Sequence, residues 1–126
     1  MTTQEVANQL VALCREGKFE EVYQNLYSTE IESIEPKGSV FPHEIKGMDA
    51  LVKKGKQWEE LVQEVHTSEV SDPMVAENFF SITMKTKVTM KGMNEPTNMD
   101  EVCVYQVQNG KVVSEQFFYT PLPIEV

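Results

Sequence analysis

A long run of alternating side chains between Asn78 and Lys91 constrains this chain more than any other feature. One side of the alternation carries Phe80, Ile82, Met84, Thr86, Val88 and Met90. Successive side chains of a β-strand point to opposite faces, so the run predicts one long strand. Its backbone N–H and C=O groups need hydrogen-bond partners on neighbouring strands, and the chain must therefore build a sheet.

The sequence supplies such neighbours on both sides of this run. His66 to Asp72 and Met99 to Gln108 are predicted strands, and Lys111 to Thr120 is a third. Asn109-Gly110 predicts a two-residue type I′ hairpin turn between the last two. Pro121 and Pro123 are expected to end the pairing, since proline donates no hydrogen bond.

The residues before this strand-rich part follow a helical period instead. A first helix is predicted to be capped by Thr3 and to run to about Glu16. A second is predicted to begin near Phe19, and a third to run from Gly47 to Val65. Residues 30–35 alternate and predict a short strand, which Pro36 ends. The expected fold is α+β, with three N-terminal helices packed on a curved, mainly antiparallel sheet.

Size and charge narrow the function classes. With 126 residues, the chain suits a single domain spanning residues 1–126. Its net charge of −9 repels phosphate backbones and anionic lipids, so neither nucleic acid nor membrane is an expected partner. The N-terminus has no basic and apolar signal-peptide pattern, and Cys14 and Cys103 lie far apart among apolar neighbours. We therefore expect a cytoplasmic protein with reduced thiols.

Four segments, in this order, cover most of the chain: Glu16–Phe19, Tyr27–Pro36, Ile45–Leu51 and Asn109–Tyr119. Together they resemble the SnoaL-like branch of the nuclear-transport-factor-2-like superfamily, whose relatives include ketosteroid isomerases and polyketide cyclases. The resemblance implies a cone-shaped fold in which the sheet curls around an apolar pocket. It also implies a homodimer formed through the outer face of the sheet.

Glu35 is a candidate general base by the same resemblance. Ketosteroid isomerases carry their basic carboxylate directly before a proline, and Ile34-Glu35-Pro36 resembles that context. A carboxylate in an apolar pocket has a raised pKa and can transfer protons near neutral pH. The alternative is a solvated acid at a strand end. The position that matches the isomerases' oxyanion-binding tyrosine is Leu10, which donates no hydrogen bond, so steroid isomerisation is not expected.

The last strand contributes a second candidate acid. By resemblance, Glu115, Phe117 and Tyr119 point into the cone. Glu115 is then either a pocket acid, with a partner or a raised pKa, or an acid at an edge or interface.

A regular hairpin predicts which residues of the preceding strand share this inward face. The expected pairs are Val104 with Glu115, Val102 with Phe117 and Asp100 with Tyr119. One β-bulge would replace Asp100 by Glu101, so both acids are catalytic candidates.

His66 and Trp58 complete the candidate site. His66 follows the predicted third helix and could act as a base beside the carboxylates, or serve only structure. Trp58 could form a pocket wall with Phe117, Tyr119, Val102 and Val104, or belong to the core or dimer interface.

The function expected from these features is binding of a small hydrophobic or carbonyl-containing molecule. Acid/base catalysis of the isomerase, cyclase or dehydratase type would use Glu35, Glu115 and His66. No metal or cofactor is expected, because the chain has neither a glycine-rich phosphate loop nor clustered Cys and His residues. The alternative is a non-catalytic small-molecule-binding or assembly domain.

Overall fold

A computed structural model describes residues 1–121. Three helices occupy the first half of these residues: α1 (Thr3–Arg15), α2 (Phe19–Leu26) and α3 (Met48–Leu61). The cap of α1 is Thr2, not the expected Thr3. Its hydroxyl accepts a hydrogen bond from the Glu5 N–H (3.1 Å), and the Glu5 carboxylate accepts one from the Thr2 N–H (3.0 Å). This capping box satisfies two N–H groups that the helix leaves unpaired.

Seven strands form one sheet within the described residues. They are β1 (Tyr27–Ile34), β2 (Glu44–Lys46), β3 (Val62–Val70), β4 (Met74–Ala76), β5 (Phe79–Met90), β6 (Thr97–Gln108) and β7 (Lys111–Phe118). The order is β2-β1-β7-β6-β5-β3, with β4 also paired to β5. Only β1 and β7 run parallel to each other among these pairs. The predicted α+β class is confirmed. The short strands β2 and β4 were not predicted. Pro123, one of the two prolines expected to end the pairing, lies outside the described residues.

The boundary between α3 and β3 differs from the prediction. The helix ends at Leu61, and Val62 and Val65 belong to β3. β3 shifts register against β5 twice, between Val62 and Glu64 and between Val65 and Thr67. The first irregularity interrupts the two-residue period of a strand, so Val62 and Val65 share one face although they are three residues apart, as they would on a helix. His66 therefore lies within a strand instead of at a helix end.

The hairpin of β6 and β7 turns at Asn109-Gly110 as predicted, with both residues at positive φ (52° and 75°). The expected pairs beyond it are wrong. An extra residue, Val113, lies between the pairs Val107–Val112 and Gln106–Ser114. This bulge moves the register by one residue, so that Glu115 lies opposite Tyr105 and not Val104.

The helices pack on the concave face of the sheet and enclose an apolar core. Its fully buried members include Val6, Leu10, Leu26, Ile31, Leu51, Phe80, Ile82 and Tyr105. Phe80 and Tyr105 stack with ring centroids 4.7 Å apart. None of the helices in residues 1–121 has the length and apolarity to cross a membrane. Two glutamates, Glu35 and Glu115, are nonetheless buried on this concave side.

Candidate active site

Glu115 lies on β7 with only 4% of its surface exposed. Two hydroxyl groups of β1 donate hydrogen bonds to its carboxylate: Tyr27 to Oε1, and Ser33 to Oε2 at 2.6 Å. The parallel pairing of β1 with β7 places Ser33 directly beside Glu115. Burial raises the pKa of Glu115, and the Ser33, Tyr27 and Lys54 groups oppose this rise. The two strands therefore hold a carboxyl group that takes up a proton more readily than an exposed glutamate does.

Glu35 follows β1 and is 5% exposed. The Lys54 ammonium group on α3 lies 2.6 Å from Glu35 Oε2, and the Tyr119 hydroxyl donates to Glu35 Oε1 at 2.5 Å. Lys54 Nζ also donates to the Ser33 hydroxyl at 2.7 Å. One continuous chain of hydrogen bonds thus joins Glu115 to Glu35 through Ser33 and Lys54. A buried ion pair needs such additional bonds to offset the cost of removing both charges from water.

Aromatic rings surround the Lys54 ammonium group on its remaining sides. Lys54 Nζ lies 5.0 Å from the centroid of the Phe117 ring and 5.7 Å from that of Phe41. The Phe41 ring in turn contacts Trp58, with centroids 6.4 Å apart and planes tilted by 55°. The faces of aromatic rings carry negative charge density and attract the cation. The ammonium group of Lys54 therefore has two hydrogen-bond partners on one side and two aromatic rings on the other.

The hydrogen-bonded side chains described above form one buried cluster, which consists of Tyr27, Ser33, Glu35, Lys54, Glu115 and Tyr119. Glu101 lies between this cluster and a cavity of about 250 Å³. The register of β6 and β7, continued by one pair, places Glu101 opposite Tyr119, and both residues line the cavity. Burial, and then the nearby Glu35 charge, raise the pKa of Glu101 to about 7. Burial also raises the pKa of Tyr119, which keeps its hydroxyl protonated. The cavity thus adjoins a carboxyl group that exchanges protons near neutral pH and a phenol that can donate a hydrogen bond.

The structure brings together six of the residues singled out from the sequence. They are Glu35, Glu101, Glu115, Trp58, Phe117 and Tyr119. Between the two candidate acids of β6, the bulge selects Glu101 as the one that shares the face of Glu115.

The other four lie elsewhere. Val102 and Val104 point to the outer face of the sheet because of the same bulge, and Val102 is 43% exposed. Asp100 is exposed and pairs with Lys85 on that face, although it also borders the cavity. His66 lies on β3, separated from β7 by β5 and β6. Its ring contacts Thr89 (2.7 Å) and Glu64 (3.2 Å), not the buried glutamates.

Three members of the cluster were missed: Tyr27, Ser33 and Lys54. Tyr27 and Ser33 carried a signal, because they belong to the segment that resembles the family, and Ser33 and Glu35 are two residues apart. Lys54 follows Leu51 by one helical turn and hence shares its buried face. The ammonium group of a lysine on a helix is usually solvated, even where its apolar stem is buried. The sequence therefore carries no sign that the ammonium group of Lys54 is buried.

The donor set does not suit a metal. No group of three or more His, Cys, Asp or Glu side chains in residues 1–121 is arranged as ligands. An ammonium group already neutralises Glu35, where a cation would otherwise bind. The arrangement is suited to moving protons and to donating hydrogen bonds.

Comparisons with known proteins agree with this fold. The family model for the SnoaL-like domain matches residues 1–119. A Mesorhizobium loti protein, provisionally named a SnoaL-like polyketide cyclase, is 33% identical with a TM-score of 0.87; the match covers 94% of this chain and 100% of that one. No curated protein matches the chain.

Two more distant structures contain small molecules. TerC, co-crystallised with polyporic acid, is 12% identical with a TM-score of 0.75, over 94% of this chain and 91% of its own. A Catenulispora acidiphila protein with a ketosteroid isomerase-like fold, in complex with trimethylamine, is 12% identical with a TM-score of 0.73, over 92% and 85%. At such identities the likeness shows the fold alone.

Proposed function

Since this chain belongs to the SnoaL-like domain family, we propose that it binds a small hydrophobic, carbonyl-containing molecule and transfers a proton on it without a cofactor. The reaction would be of the isomerase, cyclase or dehydratase type. One observation carries the proposal: Glu101, with a pKa of about 7, and Tyr119 border one cavity beside the buried Glu35–Lys54 pair. A surface acid would not have a pKa matched to neutral solution.

In this proposal Glu101 is the general base. Its carboxylate removes a proton from the carbon next to the carbonyl group, and the electron pair of that C–H bond moves to form an enolate. The Tyr119 hydroxyl, which donates to Glu35 in the ligand-free protein, turns and donates its hydrogen bond to the developing negative charge on oxygen. The protonated Glu101 then returns the proton to a different carbon, or to a leaving hydroxyl group in a dehydration. Tyr119 thereby supplies the donor that Leu10 cannot supply from α1.

Glu35 and Lys54 would act as positioning residues. Glu35 holds the Tyr119 hydroxyl at 2.5 Å and is itself held by Lys54 at 2.6 Å. Glu115, at the far end of the hydrogen-bonded chain, would adjust the charge of the cluster by taking up or releasing a proton. Because Lys54 keeps Glu35 paired, the Tyr119 hydroxyl can turn to the substrate without leaving Glu35 as an unpaired buried charge.

Deuterium exchange tests the proposal directly. Carbonyl compounds are incubated with the protein in D₂O, and the loss of the signal from hydrogen next to the carbonyl is followed by ¹H NMR. We expect exchange above the uncatalysed rate for at least one compound class, and loss of that exchange in Glu101→Gln. Glu30→Gln, which changes an exposed glutamate of β1, is the matched control. Equal exchange in the two variants would exclude Glu101 as the base.

A non-catalytic binding or assembly domain is the second candidate. Each buried side-chain nitrogen and oxygen within residues 1–121 already has a hydrogen-bond partner. Such a cluster could stabilise the cone without acting on a ligand. Binding of carbonyl compounds without deuterium exchange in any of them would favour this candidate.

We also propose a homodimer that forms through the outer face of the sheet. Phe118, Val102 and Phe79 are 48%, 43% and 43% exposed there, and β5, β6 and β7 place all three on the same face. Several exposed apolar side chains on one face of a sheet are typical of an interface. Light scattering that gives the mass of one chain would refute it.

A further inference from the structure

The loop between β1 and β2, residues 35–43, lies against the candidate site. Its two ends are joined, because the Glu35 N–H donates to the His43 carbonyl oxygen (2.8 Å) and His43 Nδ1 contacts the Glu35 carbonyl oxygen (2.7 Å). Farther along, the Ser39 hydroxyl is hydrogen-bonded to the Tyr119 hydroxyl at 2.8 Å. The loop is thus closed at its base and attached to the site by few side chains.

Phe41 is the apolar side chain that this loop places on the site. Its ring lies against Trp58 and over the ammonium group of Lys54. It is only partly buried and does not belong to the apolar core. Phe41 therefore occupies a position next to catalytic candidates without supporting the fold as a core residue does.

Within residues 1–121, Lys54 has one more hydrogen-bond donor than its polar partners use. An ammonium group carries three N–H bonds, and Ser33 and Glu35 accept two of them. The remaining side of Nζ faces the Phe41 and Phe117 rings at 5.7 Å and 5.0 Å. A ring face is a weaker acceptor than a carbonyl or enolate oxygen.

The geometry points to a ligand seat between Trp58, Phe117 and Lys54 that Phe41 fills when no ligand is bound. The ligand class that fits it is a planar, conjugated carbonyl compound. Its ring replaces the Phe41 ring against Trp58, and its oxygen accepts the third N–H of Lys54. This inference rests on the proposed function, for which it specifies the substrate class.

Displacement of the loop also connects the seat to the cavity beside Glu101. Tyr119 lines that cavity and is bonded to Ser39 of the loop. The cavity of about 250 Å³ is smaller than most ligand pockets, which span roughly 300–1,000 Å³. Moving Ser39 away removes one of the two hydrogen bonds that hold the Tyr119 hydroxyl, which can then turn from Glu35 to the ligand oxygen. Moving Phe41 away at the same time opens the space between the seat and the cavity.

The experiment is an NMR titration that follows the indole N–H of Trp58, the only tryptophan in the sequence. The probes are acetophenone, ethylbenzene (same ring, no carbonyl) and cyclohexyl methyl ketone (carbonyl, no planar ring). Phe41→Ala empties the seat, Phe41→Leu is a milder second variant, and Phe19→Ala alters an exposed phenylalanine on α2 as the control. Replacing the buried pair together, Lys54→Met with Glu35→Gln, removes the donor without leaving an unpaired charge.

We expect Phe41→Ala to bind acetophenone at least tenfold more tightly than the wild type and Phe19→Ala do, with Phe41→Leu in between. Acetophenone should bind at least threefold more tightly than either of the other probes. Its preference over ethylbenzene should disappear in the variant that combines Phe41→Ala with Lys54→Met and Glu35→Gln. Equal affinities of the wild type and Phe41→Ala, or a carbonyl preference that persists without Lys54, would overturn the inference. Binding by Phe41→Ala with no deuterium exchange would contradict only the catalytic proposal, whereas exchange without any response of Trp58 would contradict only the seat.

Discussion

Replacing Lys54 by methionine tests how strongly the buried cluster depends on its single ammonium group. The side chains of Lys54 and Glu35 are 11% and 6% exposed, so the change leaves Glu35 buried without its ion-pair partner. Removing one member of a buried pair destabilises proteins by about 3–5 kcal/mol, because the remaining charge lacks compensation. For Lys54→Met we expect a loss in this range at pH 8.

The loss should also depend on pH, and its sign follows from the neighbouring acids. Lys54 lowers the pKa of both Glu115 and Glu101 in the folded protein, so its removal raises both values further. A carboxyl group whose pKa is raised by folding destabilises the folded state once the pH exceeds its unfolded value, and this cost disappears as the pH falls below that value. The variant should therefore lose less stability at pH 4 than at pH 8.

Urea unfolding at the two pH values measures these free energies, with Trp58 fluorescence as the signal. The double variant Lys54→Met with Glu35→Gln is the internal control, and it should recover most of the lost stability, since replacing a buried pair together is often neutral. A loss below about 1 kcal/mol for Lys54→Met, or no recovery in the double variant, would refute the assignment of Lys54 as the compensating charge.

Further predictions concern the rest of the molecule. Glu101→Gln should stabilise the protein above pH 7 by at most about 3 kcal/mol and have no such effect below pH 4.5, because the pKa of Glu101 rises from 4.5 to about 7 on folding; urea unfolding against pH measures this. Thr2→Ala should cost about 1 kcal/mol in the same assay through the loss of the α1 cap. For the proposed homodimer, Phe118→Lys should shift the mass measured by light scattering from two chains to one. Cys14, whose pKa burial raises to about 12, and the buried Cys103 should react with a thiol reagent only after denaturant is added.

The order of the long elements was predictable from periodicity alone. The alternation of residues 78–91 and the Asn109-Gly110 turn led to β5 and to the hairpin of β6 and β7. These signals are local, and the structure keeps them because packing and propensity agree there. Glu35 was also predictable, through the resemblance of Ile34-Glu35-Pro36 to the ketosteroid isomerases. Glu115 was predictable because an acid between apolar strand neighbours is conspicuous.

Register was not predictable, because it depends on irregularities that leave little trace in sequence. One extra residue, Val113, exchanged the inward and outward sets of β6, and similar shifts in β3 made Val62 and Val65 look helical. Lys54 was missed for a different reason. Its role depends on which carboxylates the sheet brings under α3, and this is a property of tertiary structure alone.

The parallel pairing of β1 with β7 has a consequence for how the chain folds. Tyr27 and Ser33 cannot form their hydrogen bonds to Glu115 until Glu115 has been synthesised, and it follows them by 88 and 82 residues. During synthesis, one edge of β1 therefore leaves the ribosome unpaired, and it stays so until almost the whole of residues 1–121 has been made. Contacts so distant along the chain slow folding, because the intervening segment must first be ordered. The same strand that completes the acid cluster thus closes the sheet last, and a nascent chain stalled before β7 would expose β1 to chaperones and to aggregation.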